Sequence, residues 1–175
     1  MKRVVVLGAV ALVATSCGST KTVTKTVTRT VTVSAGAKTG VGPPGEQVQY
    51  GYIRSLTKKG AAYQLRFDPA WFLSGVAANN AAAQDGKVSP GQPVPNDNYV
   101  VNDSPRAFVY NVPANARVTV LATSPQSTPI TVAQLADILS GKQPLGHALW
   151  EPISTGFWMR IRVDAVRSLD QQYHP

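Results

Sequence analysis

The sequence predicts an α+β fold: a small antiparallel sheet or partly closed β-barrel, with an OB-like barrel as one form of it, and two helices. Three observations carry this prediction. Phe157-Trp158-Met159-Arg160-Ile161-Arg162-Val163 alternates apolar and polar residues with a period of two, the pattern of a half-buried strand. Thr131-Val132-Ala133-Gln134 is a capping box placed ahead of Leu135, Ile138 and Leu139, which share one helical face. Elsewhere short β-type runs are separated by short turns, which gives the order β-β-α-β-β-β-α-β-β.

Taken in order, residues 48–53 and 62–67 read as a hairpin whose turn is Thr57-Lys58-Lys59-Gly60. In its second strand Tyr63, Leu65 and Phe67 point one way, and Gln64 and Arg66 the other. Asp68-Pro69 reads as a helix start, with Asp as the N-cap and Pro at the first helical position. The Ala-rich segment 70–84 would follow as a helix anchored by Trp71, Phe72 and Val76, broken at Gly75 and ended by Gly86. A loop over 87–98 holds Pro90, Pro93 and Pro95. Three strands are expected over 98–102, 107–112 and 117–121, separated by Asp103-Ser104-Pro105 and by Pro113-Ala114-Asn115-Ala116. The capped helix that begins after Thr131 ends at Gly141. In the final hairpin Phe157, Met159, Ile161 and Val163 face the core, while Trp158, Arg160 and Arg162 face out. The strand over 166–172 returns across Asp164-Ala165.

The chain divides into three parts before that fold is considered. Met1-Lys2-Arg3 is a basic start, and residues 4–13 form an apolar run too short to span a bilayer, which takes about 20 residues. Ala14-Thr15-Ser16-Cys17 follows, and it resembles the lipobox of bacterial lipoproteins, with Ala14 where Leu is commonest. The resemblance implies cleavage after a 1–16 signal peptide, a diacylglyceryl thioether on Cys17, and anchoring at the outer face of the cell membrane.

Residues 17–46 read as a flexible linker. Thr22-Val23-Thr24-Lys25, Thr26-Val27-Thr28-Arg29 and Thr30-Val31-Thr32-Val33 repeat with a period of four, and a Gly/Pro-rich stretch follows. A coil of that length has a root-mean-square reach of about 30 Å. Lys21, Lys25 and Arg29 lie near the lipid, where an anionic surface would attract them. The Thr density also suits O-glycosylation. A single globular domain is expected over 47–175. Its segments Gly51-Tyr52-Ile53, Phe67-Asp68-Pro69-Ala70-Trp71-Phe72, Asn96-Asp97-Asn98-Tyr99-Val100-Val101-Asn102, Thr128-Pro129-Ile130-Thr131 and Asp170-Gln171-Gln172-Tyr173-His174-Pro175 resemble landmarks of an uncharacterised domain of secreted and lipid-anchored actinobacterial proteins. That resemblance implies no activity.

Composition narrows the function classes. The formal charge is +8, but from Glu46 onward eleven Lys and Arg face nine Asp and Glu. The basic excess therefore sits in the leader and linker, which argues against nucleic acid as the domain's partner. The sole cysteine is Cys17, so the domain contains no disulfide and no thiol chemistry.

The chain carries no nucleophile elbow, zincin helix, P-loop or dinucleotide fingerprint, so neither a catalytic residue nor a cofactor is assigned. Asn96, Asp97, Asn98, Asn102 and Asp103 are oxygen-rich, but the spacing suits turn chemistry better than Ca²⁺, and no metal is assigned. His147 and His174 are two isolated histidines. Asp68 and Glu151 would be the carboxylates of a glycosidase-like pair, although Asp68 is already used as an N-cap in this reading. Among Trp71, Trp150, Trp158, Tyr99 and Tyr110, most suit a core. Trp158 is the exception, because it alternates outward with Arg160 and Arg162, a composition typical of an interface.

The leading expectation is a membrane-anchored envelope lipoprotein with a non-catalytic domain that binds an envelope protein or glycan. The alternatives are a hydrolase-like enzyme whose site is assembled from distant residues, such as Asp103 with His147, and a structural envelope protein.

Overall fold

The computed structural model describes residues 45–103 and 106–174. The 1–16 leader, Cys17 and the linker as far as residue 44 lie outside the described residues, as do Ser104, Pro105 and Pro175. The described chain runs β1 (Glu46–Lys59), β2 (Ala62–Ser74), α1 (Gly75–Gln84), β3 (Asn98–Val101), β4 (Phe108–Pro113), β5 (Arg117–Leu121), β6 (Ser127–Ile130), α2 (Val132–Leu139), β7 (Phe157–Arg162) and β8 (Ala165–Gln171). Short 3₁₀ turns occupy Pro95–Asp97 and Ile153–Thr155.

The fold is α+β, with one mixed eight-stranded sheet and two helices. Strands lie in the order β3-β2-β1-β7-β8-β5-β6, and β4 pairs with both β2 and β8. Five strands, β1, β2, β4, β8 and β7, therefore form a ring that is only partly closed. The closing contact is a single parallel bridge, Asn111↔Ala165. The expected all-antiparallel sheet is corrected to a mixed one, because β8 runs parallel to both β4 and β5.

Alternation along the ring strands builds the main core. Leu65, Phe67, Val112, Phe157, Met159, Val166 and Leu169 point inward and are fully buried. The helix α2 closes this core with Val132 and Leu135. Its capping box is present: the Thr131 hydroxyl accepts from the Gln134 backbone N–H at 3.1 Å, and the Thr131 backbone N–H donates to Gln134 Oε1 at 2.9 Å. A second, smaller cluster holds Leu73, Ala78, Ala82, Val94 and Val101, where α1 covers the end of β2 and β3.

The main correction concerns residues 68–74. They do not start a helix; β2 continues through them to Ser74, and α1 begins at Gly75 with φ +56°. Asp68-Pro69 loses to pairing with two partners. On one side of β2 the ladder with β4 ends at Phe67↔Phe108, and the ladder with β3 begins at Trp71↔Val101. Pro69, which has no N–H to donate, lies in the gap between those ladders, where strands tolerate proline. Trp71 and Val76, expected as helix anchors, are exposed, and only Phe72 of the three packs into a cluster. Val163 is a second correction. It falls beyond the end of β7, in the turn to β8, and is 85% exposed rather than core-facing. The strand β6 was not foreseen. Its Pro129 sits in a strand at the end of the sheet order, where a missing donor does little harm.

Candidate functional site

The outward-facing residues of β1, β7, β8 and β5 form a continuous row, because register places Tyr50 opposite Trp158, Trp158 opposite Asp170, and Asp170 opposite Thr119. This face contains Trp158, Arg160 and Arg162, all on β7. Trp158 is half-buried, tilted 5.2 Å from the Tyr50 ring and edge-on at 5.6 Å to Phe72. Its indole N–H donates to Gln172 Oε1 at 2.6 Å. The C-terminal residues thus lie over it, and the His174 ring stands 6.0 Å from Phe72. Tyr50 is buried beneath this cluster and donates its hydroxyl to the Thr155 carbonyl at 2.7 Å. Burial pushes the Tyr50 phenol well above its ordinary range, and neighbouring Tyr52 adds to the shift.

Beside the aromatics lies a carboxylate hub. Asp170 accepts from Arg117 Nη2 at 2.9 Å, Thr119 Oγ1 at 2.8 Å and Ser168 Oγ at 2.9 Å. Three donors on one partly exposed carboxylate make a fixed polar patch. Gln171, whose side chain points to the opposite face, is buried and fully engaged. Its Oε1 accepts from the Leu121 N–H at 2.9 Å, and its Nε2 donates to the Glu151 and Pro152 carbonyls at 3.1 and 3.0 Å. This side chain staples the segment before β7 onto the sheet. At the other end of β7, Arg160 pairs with Glu46 at 3.2 Å, while Arg162 is exposed.

The second polar centre is Asp68, only 1% exposed. β1 carries a bulge between Ile53 and Ser55, which leaves Arg54 unpaired in the ladder and free to aim its guanidinium at Asp68. Arg54 Nε donates to Asp68 Oδ2 at 3.1 Å, and Nη2 donates to the same oxygen. Asn102 Nδ2 donates at 3.2 Å, and the Arg106 backbone N–H donates to Oδ1 at 2.8 Å. Burial opposes ionisation of Asp68, but the Arg54, Asn102 and Arg106 donors together outweigh it and hold the carboxyl below its usual range. Asp68 is therefore not a helix cap; it clamps the β3–β4 connection onto the ring.

The other residues singled out in the sequence are placed as follows. Asn96 and Asp97 sit in the 3₁₀ turn with φ of 57° and 54°, and Asn98 Nδ2 donates to the Asn96 carbonyl at 2.9 Å. Asn102 is used by Asp68. Among the described residues, no three or more His, Cys, Asp or Glu are grouped to hold a metal ion. His147 is exposed between α2 and β7, with Nδ1 2.8 Å from the Ala148 carbonyl, whereas Asp103 belongs to the β3–β4 connection. Glu151 accepts from Gln171 through its backbone carbonyl, and the hydrogen-bond partners of the Asp68 carboxylate are Arg54, Asn102 and Arg106. Tyr99 donates to Asp85 at 3.0 Å, Tyr110 to Gln49 at 3.1 Å, and Trp150 is exposed. The Asp68 clamp and the Asp170 hub were not legible in the sequence. Each gathers residues distant along the chain, and no local pattern announces a bulge at Arg54.

Compared with protein families, curated proteins and solved structures, the chain matches none of them. Among the described residues, no helix is long and apolar enough to cross a membrane.

Proposed function

We propose that the chain is an exported lipoprotein of the cell envelope, anchored at the outer face of the cell membrane through acyl chains on Cys17. Residues 17–46 act as its tether, and the domain that follows acts as a non-catalytic interaction module. The observation that carries this reading is the order basic Lys2-Arg3, apolar 4–13, small residues Ala14 to Ser16, then Cys17. Two or three acyl chains at one cysteine hold a protein stably, where one chain does so only marginally.

The geometry supports an interaction role over a catalytic one. Asp68 and Asp170 each spend their oxygens on three or more donors within the fold, which is structural work. Of the outward β7 residues Trp158, Arg160 and Arg162, the exposed Arg162 is the one offered to an envelope protein or glycan, since Trp158 lies against Phe72 and Gln172 and Arg160 pairs with Glu46. No cofactor is required.

The test is fractionation of cells that make the full chain or its Cys17→Ala variant. The full chain is expected in the membrane fraction and to leave it only with detergent. The variant is expected as soluble protein or as an unprocessed precursor. Equal membrane retention and equal processing of the two would overturn the reading.

A further inference from the structure

We propose that the outer face over Tyr50, Phe72 and Trp158 is a binding site for an extended peptide, and that the protein's own C-terminal residues occupy it as a removable strap. The inference rests on the interaction-module reading and adds the chemistry of the partner. The ligand is a segment with an amide side chain followed two residues later by an aromatic ring. Gln172 and His174 imitate that pattern in the chain itself.

Three rings build the platform. Tyr50 stands 5.0 Å from Phe72 and 5.2 Å from Trp158, and Phe72 stands 5.6 Å from Trp158. They come from β2, β7 and β1, so the sheet fixes their positions. Tyr50 is the buried floor, while Phe72 and Trp158 are half-buried with the strap in place. The face thus joins apolar area to one polar handle, the Trp158 indole N–H. That composition is enriched where proteins bind one another.

The strap sits on this platform as a bound peptide does. The Gln172 backbone N–H donates to the Gly156 carbonyl at 3.0 Å. The Gln172 side-chain Oε1 accepts from the Trp158 indole at 2.6 Å. The His174 ring stands 6.0 Å from Phe72, tilted by 57°. Tyr173, between them, is exposed. Main-chain bonding with alternate side chains engaged is how a sheet recognises an extended ligand.

Two observations mark the strap as removable. Anchoring changes abruptly between neighbours. Gln171 is 6% exposed and bonds Leu121, Glu151 and Pro152. Residues 172–174 are tied to the rest of the described chain by the Gly156 and Trp158 bonds and the ring contact on Phe72. Second, His174 Nδ1 is buried with no hydrogen-bond partner among the described residues. A buried polar atom left unmet costs the closed state free energy. A partner that places a phenyl ring there avoids the cost, so it displaces the strap.

The experiment compares the full chain with one that ends at Gln171, both in detergent micelles. The probe is a fluorescein-labelled peptide of residues 170–175, Asp-Gln-Gln-Tyr-His-Pro, followed by anisotropy. The shortened chain is expected to bind it at least about tenfold more tightly than the full chain, because the tethered strap competes at high effective concentration. Gln172→Ala in the peptide is expected to weaken binding about tenfold, and His174→Phe to strengthen it about threefold. Equal binding by the two chains overturns the site. So does no binding by a shortened chain that circular dichroism shows to be folded, or uptake of an N-acetylglucosamine oligomer in place of the peptide.

Hydrogen exchange in the unaltered full chain gives a reading that needs no variant. The Trp158 indole N–H is expected to exchange at least about a hundredfold faster than the Leu121 amide, which Gln171 holds. Equal rates mean that the strap opens only with the whole fold, and overturn the inference. Failure here leaves the exposed Arg162 and the Cys17 anchor untouched, and fractionation of Cys17→Ala tests the anchoring by itself.

Discussion

Arg54 and Asp68 are joined across a β-bulge: the residue left out of the β1 ladder supplies two donors to a carboxylate that is 1% exposed. The same carboxylate holds Asn102 and the Arg106 backbone, so one side chain ties the ring to the β3–β4 connection. Asp68→Ala should therefore destabilise the domain by about 1–3 kcal/mol, because several partly buried donors lose their shared acceptor at once. Arg54→Ala should cost less, since half of that side chain is in water and Asn102 and Arg106 still satisfy the carboxylate. Urea unfolding monitored by tryptophan fluorescence checks both.

The same clamp predicts acid sensitivity. The Asp68 carboxyl is held below its usual range in the folded state, so the folded protein binds its proton less readily than the unfolded chain does. Its contribution to stability is then fully present above the unfolded value of about 3.9, and is lost as pH falls through the folded value. Unfolding midpoints should drop between pH 5 and pH 2, and Asp68→Asn should flatten that part of the profile. An unchanged acid limb in the variant would show that other groups carry it.

Gly51 is required by close approach. A Cβ at this position would overlap the Asp68 carbonyl oxygen and lie 2.8 Å from Pro69 Cα, both backbone atoms of the paired strand. Gly51→Ala should cost about 1–3 kcal/mol and shift the β1–β2 register locally. Thermal unfolding, with amide chemical shifts over residues 50–52 and 68–70, reads both effects.

Val163→Asn should act in the opposite direction. The left-handed backbone at Val163 costs a β-branched residue about 1–2 kcal/mol, and the side chain buries almost nothing in return. The variant should raise the unfolding free energy by about 1 kcal/mol.

Legibility in the sequence followed the range of the interaction involved. Residues 157–162 alternate and α2 is capped by its own neighbours, so both were readable locally and both are present. Asp68-Pro69 carried a local helix signal that long-range pairing overrode, because β2 gains β1, β3 and β4 as partners over its length. Strand β6, Ser127–Ile130, has no alternation to read, and its pairing with β5 alone defines it. The outward direction of Trp158 was readable from period two. Its cover, Phe72 and Gln172, comes from another strand and from the residues after β8, which periodicity does not reveal. Val163 continued the alternation by one residue, and only the turn geometry shows that the strand had already ended.

The most direct measurement is mass spectrometry of the mature N-terminal peptide from protein purified out of its native membrane. The expected spectrum contains a peptide that begins at Cys17 and carries the added mass of a diacylglyceryl group. A peptide that still contains residues 1–16, or one with an unmodified Cys17 thiol, would contradict lipid anchoring.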